Sequence, residues 1–251
     1  MSKRLFLAGL VAVAAMGSAV AAIGDPWMPP VDGAHILSAP PAAGSPRDIA
    51  DRAIFQATRA LEGSPRWRIA QRDVENGPLS RYACALGVTL KASDVPTLAS
   101  LFDRAGAGFL VEPVKTHYAR ARPYADNDAP MCQARTAALA RSGDYPSGHA
   151  ANGWLEALLL AELAPDRASE LLARGRQAGE SRVICGAHSA SAVEGGWQAG
   201  AAASAVLHGS ASFRQQLDLA RVELARARIT APKVDPAACA IEAEVLARAY
   251  Y

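Results

Sequence analysis

Residues 143–163 read Gly143-Asp144-Tyr145-Pro146-Ser147-Gly148-His149 and then, without a break, Ala150-Ala-Asn-Gly-Trp154-Leu-Glu-Ala-Leu-Leu-Leu-Ala-Glu-Leu163. Trp154, Leu155, Leu158, Leu159 and Leu163 recur at helical spacing and form one apolar stripe, so 151–163 is expected to be a helix. The Pro-Ser-Gly turn at its start leaves backbone N–H groups without intrahelical partners, and the helix dipole adds positive charge there. Such a terminus suits an anion of the phosphate kind. Ser147 can add a hydroxyl, and Gly148 lets a ligand approach the backbone closely. His149 would stand at the rim, able to give up a proton. Taken alone, the same letters also describe a capped helix with an ordinary surface histidine.

Outward from this stretch the helical signals continue. Ser45-Pro46-Arg47-Asp48 supplies a cap, a proline at the first helical position and an acid in the first turn. Ser64-Pro65-Arg66-Trp67 repeats the first two parts of that signal, and residues 213–229 carry a periodicity like that of 151–163. Asn76-Gly77-Pro78, Gly106-Ala107-Gly108, Pro123 and Pro165 punctuate the alanine-, leucine- and arginine-rich text between them. No β-branched run alternates with polar residues as a strand would. The expected fold class is all-α, a single-domain helical bundle over residues 45–230. Pro26, Pro29, Pro30, Pro40 and Pro41 make residues 23–44 an irregular arm, and 231–251 are expected as a C-terminal tail.

The N-terminus begins with Lys3 and Arg4, continues through an apolar run from Leu5 to Met16, and closes in small residues, Gly17-Ser-Ala-Val-Ala-Ala22. This order describes a secretory signal peptide over residues 1–22 and a periplasmic or secreted protein. A net charge of +2 is too small for the basic footprint of a nucleic-acid-binding protein. Glu156 and Glu162 interrupt the best later apolar stretch, so no membrane association is expected after signal removal. Cys84, Cys132, Cys185 and Cys239 permit two disulfides in an exported chain, with three pairings open. Their spacing fits no C-x-x-C pattern, and no metal site is expected.

Two further clusters carry chemistry. In Lys115-Thr-His-Tyr-Ala-Arg-Ala-Arg122-Pro123 the two outer cations lie two helical turns apart, on one face of a helix that Pro123 ends. In Ser181-Arg182-Val-Ile-Cys185-Gly-Ala-His188, Ser181 and His188 could share a helical face, with Arg182 off it unless Gly186 bends the segment. Each cluster alone fits an ordinary surface or packed segment. Together, Lys-x6-Arg-Pro, Pro-Ser-Gly-His and Ser-Arg-x5-His match the signature of the type 2 phosphatidic acid phosphatase superfamily, which includes vanadium haloperoxidases. The surrounding text, Lys115-Thr-His-Tyr, Tyr145-Pro-Ser-Gly-His, Ser181-Arg-Val-Ile-Cys-Gly and Leu207-His208 to Phe213-Arg-Gln-Gln-Leu, resembles class A bacterial non-specific acid phosphatases from about residue 36 to about 230.

The resemblance implies a metal-independent phosphatase acting on small phosphomonoesters, with no cofactor and with the superfamily's helical bundle. It implies His188 as nucleophile and His149 as general acid. Lys115, Arg122, Ser147, Gly148 and Arg182 would hold the phosphoryl oxygens. A homo-oligomer is allowed but not specified. One position departs from the pattern: the family continues His-x3-Asp, whereas this chain reads His188-Ser-Ala-Ser-Ala192. Reading 188–192 as one helical turn, an aspartate there would hold the imidazole and steady its positive charge. Ser191 and Glu194 are the nearest substitutes in sequence. Restoring the acid through Ala192→Asp is therefore expected to raise turnover. The competing reading is a weakened phosphate- or phosphoester-binding protein that keeps the anion cradle.

Overall fold

Serine caps and prolines start the helices where the sequence places them. Ser45 accepts a hydrogen bond from the Asp48 N–H and Pro46 opens α1 (Pro46–Arg59). Ser64 and Pro65 do the same for α2 (Pro65–Glu75). In this computed structural model the described residues are 27–251, and the signal peptide expected over 1–22 lies outside them. The longer helices that follow are α3 (Pro96–Arg104), α4 (Gly108–Tyr118) and α5 (Gly148–Leu163). After them come α6 (Ala168–Ile184), α7 (Ala190–His208), α8 (Ala211–Thr230) and α9 (Pro236–Ala247). Beyond one isolated bridge between Val88 and Lys233, the described residues hold no β pairing, and the fold is all-α.

Helix α5 is central, with α6 and α7 packed along it. Being covered on two sides, it buries more than one stripe. Ala151, Ala157 and Leu160 are buried beside Leu155, Leu159 and Leu163, while Trp154 and Leu158 are only half-buried. Leu171, Leu207, Phe213 and Leu217 complete this core from α6, α7 and α8. Each fully buried leucine contributes about 1.5–3 kcal/mol. Close approach of α7 to the start of α5 requires glycine. A Cβ on Gly196 would lie 2.6 Å from the Ser147 carbonyl oxygen and 2.8 Å from the Ala150 methyl group.

Both flanks of the described residues are docked on this bundle. Trp27 packs edge-on against Phe213, with centroids 5.3 Å apart, and donates to Ser212 Oγ at 3.0 Å. The arm includes one short helix, Gly33–Ile36, capped by Asp32. Residues 231–251 contain α9, which packs on α2. The disulfides are Cys84–Cys239, which pins α9, and Cys132–Cys185, which ties the 131–133 loop to the end of α6.

Candidate active site

The start of α5 is anchored from two directions. Ser147 caps the helix, accepting from the Ala150 N–H at 3.3 Å. Its own N–H donates to the carbonyl of Ala192 at 2.8 Å, locking this terminus to α7. At Gly148 a Cβ would meet only Val111, at an ordinary 3.7 Å, so packing does not demand glycine there.

Lys115 and Arg122 do not share a helical face, contrary to the reading of their spacing. Helix α4 ends at Tyr118, and Ala119 takes a left-handed conformation with φ 44°, which turns the chain before Arg122. The two cations converge all the same, because both grip the irregular segment leading to Pro-Ser-Gly-His. Lys115 Nζ donates to the Gly143 carbonyl at 2.7 Å, and Arg122 Nε donates to the Ser142 carbonyl at 2.7 Å.

His188 has also left its expected helix. Helix α6 stops at Ile184, and Gly186 at φ 78° bends the chain away. Arg59 caps this end by donating to the carbonyls of Val183 at 3.1 Å and Ile184 at 2.8 Å. A Cβ on Gly186 would collide with that guanidinium. Ser181 stays behind in a buried network, donating to Asp73 at 2.6 Å and accepting from Arg66 at 2.9 Å. His188 lies beyond the bend, buried, with Nε2 3.0 Å from Arg122 Nη1. A guanidinium only donates. Nε2 is therefore the acceptor, and the ring proton sits on Nδ1. That nitrogen faces the Asp144 backbone carbonyl at 2.7 Å and its carboxylate Oδ1 at 3.1 Å. Arg182 is buried as well. It donates from Nη2 to Gln133 at 2.7 Å, while its Nε and Nη1 have no hydrogen-bond partner among the described residues.

The PAP2 superfamily pattern matches residues 97–216, which include all seven residues singled out by sequence. The chain is 42% identical over 212 residues to an acid phosphatase of Zymomonas mobilis, covering 82% of this chain and 80% of that protein. It is 32% identical over 204 residues to a non-specific acid phosphatase of Providencia stuartii, covering 78% and 82%. A non-specific acid phosphatase of Salmonella typhimurium is 34% identical over 203 residues, covering 77% and 80%.

The chain belongs to the PAP2 superfamily.

In this PAP2 member a carboxylate from another segment lies beside the His188 ring. Ser191 is occupied by Asp51, whose carboxylate accepts from its backbone and hydroxyl, and Glu194 pairs with Arg47 at the surface. Neither reaches His188. The carboxylate on the ring is that of Asp144, three residues before Ser147. Asp144 also accepts from the Ser189 N–H at 3.1 Å and hydroxyl at 2.6 Å. Arg120 backs it at 3.5 Å and pairs in addition with Asp48 at 3.2 Å and Asp51 at 3.0 Å. Sequence reasoning missed Asp144 and Arg120, although both lie inside the quoted motifs.

The site is strongly cationic, and its titrating groups respond. Burial, then the charge of Arg122, lowers Lys115 to about 8 and Arg182 to about 9. Burial lowers His188 to about 3 despite its carboxylate partner. The Arg182 charge first, and then loss of water, lowers His149, again to about 3. Both imidazoles are thus neutral at ordinary pH, not poised near the usual histidine value. Burial alone would raise Asp144, but hydrogen bonds from His188 and Ser189 and the Arg120 charge keep it ionised. A cavity of about 590 Å³ abuts Arg122, Arg120 and Asp144 but is lined by neither imidazole.

Proposed function

We propose that this chain is an acid phosphatase that hydrolyses phosphomonoesters, without a metal, through a phosphohistidine on His188. The names of its relatives support the reaction class. The observation that supports the mechanism is the setting of His188: a buried imidazole with Nδ1 against Asp144 and Nε2 facing Arg122, an arrangement that fits a neutral ring protonated on Nδ1. Nε2 attacks phosphorus, forming the N–P bond as the ester P–O bond breaks. His149 gives its proton to the departing alkoxide. Water then attacks the phosphohistidine, His149 takes a proton from it, and inorganic phosphate leaves as the N–P bond breaks. Lys115, Arg122, Arg182 and the Ser147–Gly148 terminus of α5 neutralise the phosphoryl oxygens, the larger part of what phosphoryl transfer needs.

His149 must hold a proton to act as an acid. The substrate's negative charge, set among the cations that depress it, raises its proton affinity and favours mildly acidic solution. An exported location fits the two disulfides, which persist in oxidising compartments.

Hydrolysis of an activated aryl and of an alkyl phosphomonoester tests this. Turnover should survive a chelator and vanish in His188→Ala. His149→Ala should lose about 10²–10⁴-fold on the alkyl ester and much less on the aryl ester, whose leaving group needs no proton. Phosphate binding without turnover would make the chain a binding protein, and a requirement for added divalent metal would refute the metal-free mechanism.

A further inference from the structure

We propose that Asp144 is the positioning residue for His188, supplying from the loop before α5 the carboxylate that position 192 lacks. This rests on His188 being the nucleophile. The one-helical-turn argument for position 192 does not hold in this fold. Ser189 caps α7, so His188 lies outside that helix and 188–192 is not a helical turn. Ala192 serves the site through its backbone, whose carbonyl receives the Ser147 N–H at 2.8 Å.

Asp144 meets what an orienting acid needs. Its backbone carbonyl and Oδ1 both face the Nδ1 proton, at 2.7 and 3.1 Å, which leaves Nε2 as the nucleophilic atom. Its carboxylate is fully buried, so its charge is little screened. The groups facing it are Ser189, which donates twice, and Arg120, with Arg122 across the ring. Arg120 is in turn shared with Asp48 and Asp51 of α1, so the carboxylate cannot swing toward a full ion pair with it. When Nε2 forms its bond to phosphorus the ring becomes cationic, and the Asp144 charge stabilises that state more than the neutral one. The carbonyl alone can fix the tautomer. The carboxylate adds the charge.

Asp144→Asn separates the two, since it keeps the carbonyl and an oxygen acceptor. Turnover of an aryl phosphomonoester should fall about ten- to a hundred-fold, the worth of a hydrogen bond to a charged group. Inorganic phosphate, used as a competitive inhibitor, should bind no more weakly. A folded variant with turnover within about two-fold of wild type overturns the proposal. So does a parallel loss of turnover and phosphate affinity, the mark of a merely structural role. Should the variant not fold, ¹⁵N-histidine NMR of the wild-type protein decides. The proposal requires the His188 proton on Nδ1, strongly downfield, and either a proton on Nε2 or an Nδ1 proton without that downfield shift overturns it. A wild-type protein without turnover would instead overturn the phosphatase reading, while the NMR measurement would still report on the His188–Asp144 pair.

Discussion

Ala192 and Asp144 show how a single side chain's function depends on where the backbone delivers it. Ala192 looked like a missing catalytic partner because four residues within a helix span one turn, yet His188 lies before the helix that contains it. The expected benefit of Ala192→Asp therefore loses its basis. With Asp144 already on Nδ1, the new carboxylate would be a second buried anion at a fully buried site. Turnover should rise by less than about two-fold. Stability to denaturant should fall, because a carboxylate would replace a fully buried methyl group. A ten-fold gain in kcat/KM would show that His188 was waiting for that acid and that Asp144 does not serve it.

Helices α5, α6 and α7 bring the motifs together, and the contact most exposed to test is that of α7 on the first turn of α5. Gly196 faces the Ser147 carbonyl so closely that any side chain must push the two elements apart. Gly196→Ala should cost about 1–3 kcal/mol of stability, as overpacking does. It should also lower turnover, because the same Ser147 hangs from the Ala192 carbonyl of α7. Denaturant melts and kcat on one substrate check both effects, and unchanged stability would show that the helices part without cost. Cap signals announced the starts of α1, α2 and α5 well, since a Ser or Ser-Pro pair acts within one turn. The ends of α4 and α6 gave less notice. Ala119 adopts a left-handed conformation that alanine disfavours, and the Gly186 bend is stabilised by Arg59 from another helix.

For the whole molecule, the cationic site makes acid stability a measurable property. In the folded protein Arg182 and burial lower His149, and burial lowers His188, each to about 3, whereas once unfolded both return to the ordinary histidine value. Below about pH 6.5 the unfolded chain takes up protons that the fold refuses, so stability is present above that pH and lost as pH falls toward 3. Buried His188 contributes up to about 1.4 kcal/mol per pH unit, and exposed His149 less. Asp48, held at about 2, adds a loss in the same direction only below about pH 4. The Tm of phosphate-free protein should therefore drop on acidification from about pH 6.5, and inorganic phosphate should restore more at the acidic end by offsetting the cations. A flat Tm across that range would mean that the imidazoles are not depressed. The sequence by itself determined the helical class and the serine caps, and it picked out seven candidate residues, because periodicity, capping and motif chemistry are local properties of consecutive letters. Only the tertiary structure decided that Lys115 and Arg122 meet on the Ser142–Gly143 backbone, which cysteines pair, and that Asp144 faces His188. Those contacts join residues tens of positions apart, so no stretch of consecutive letters contains both partners.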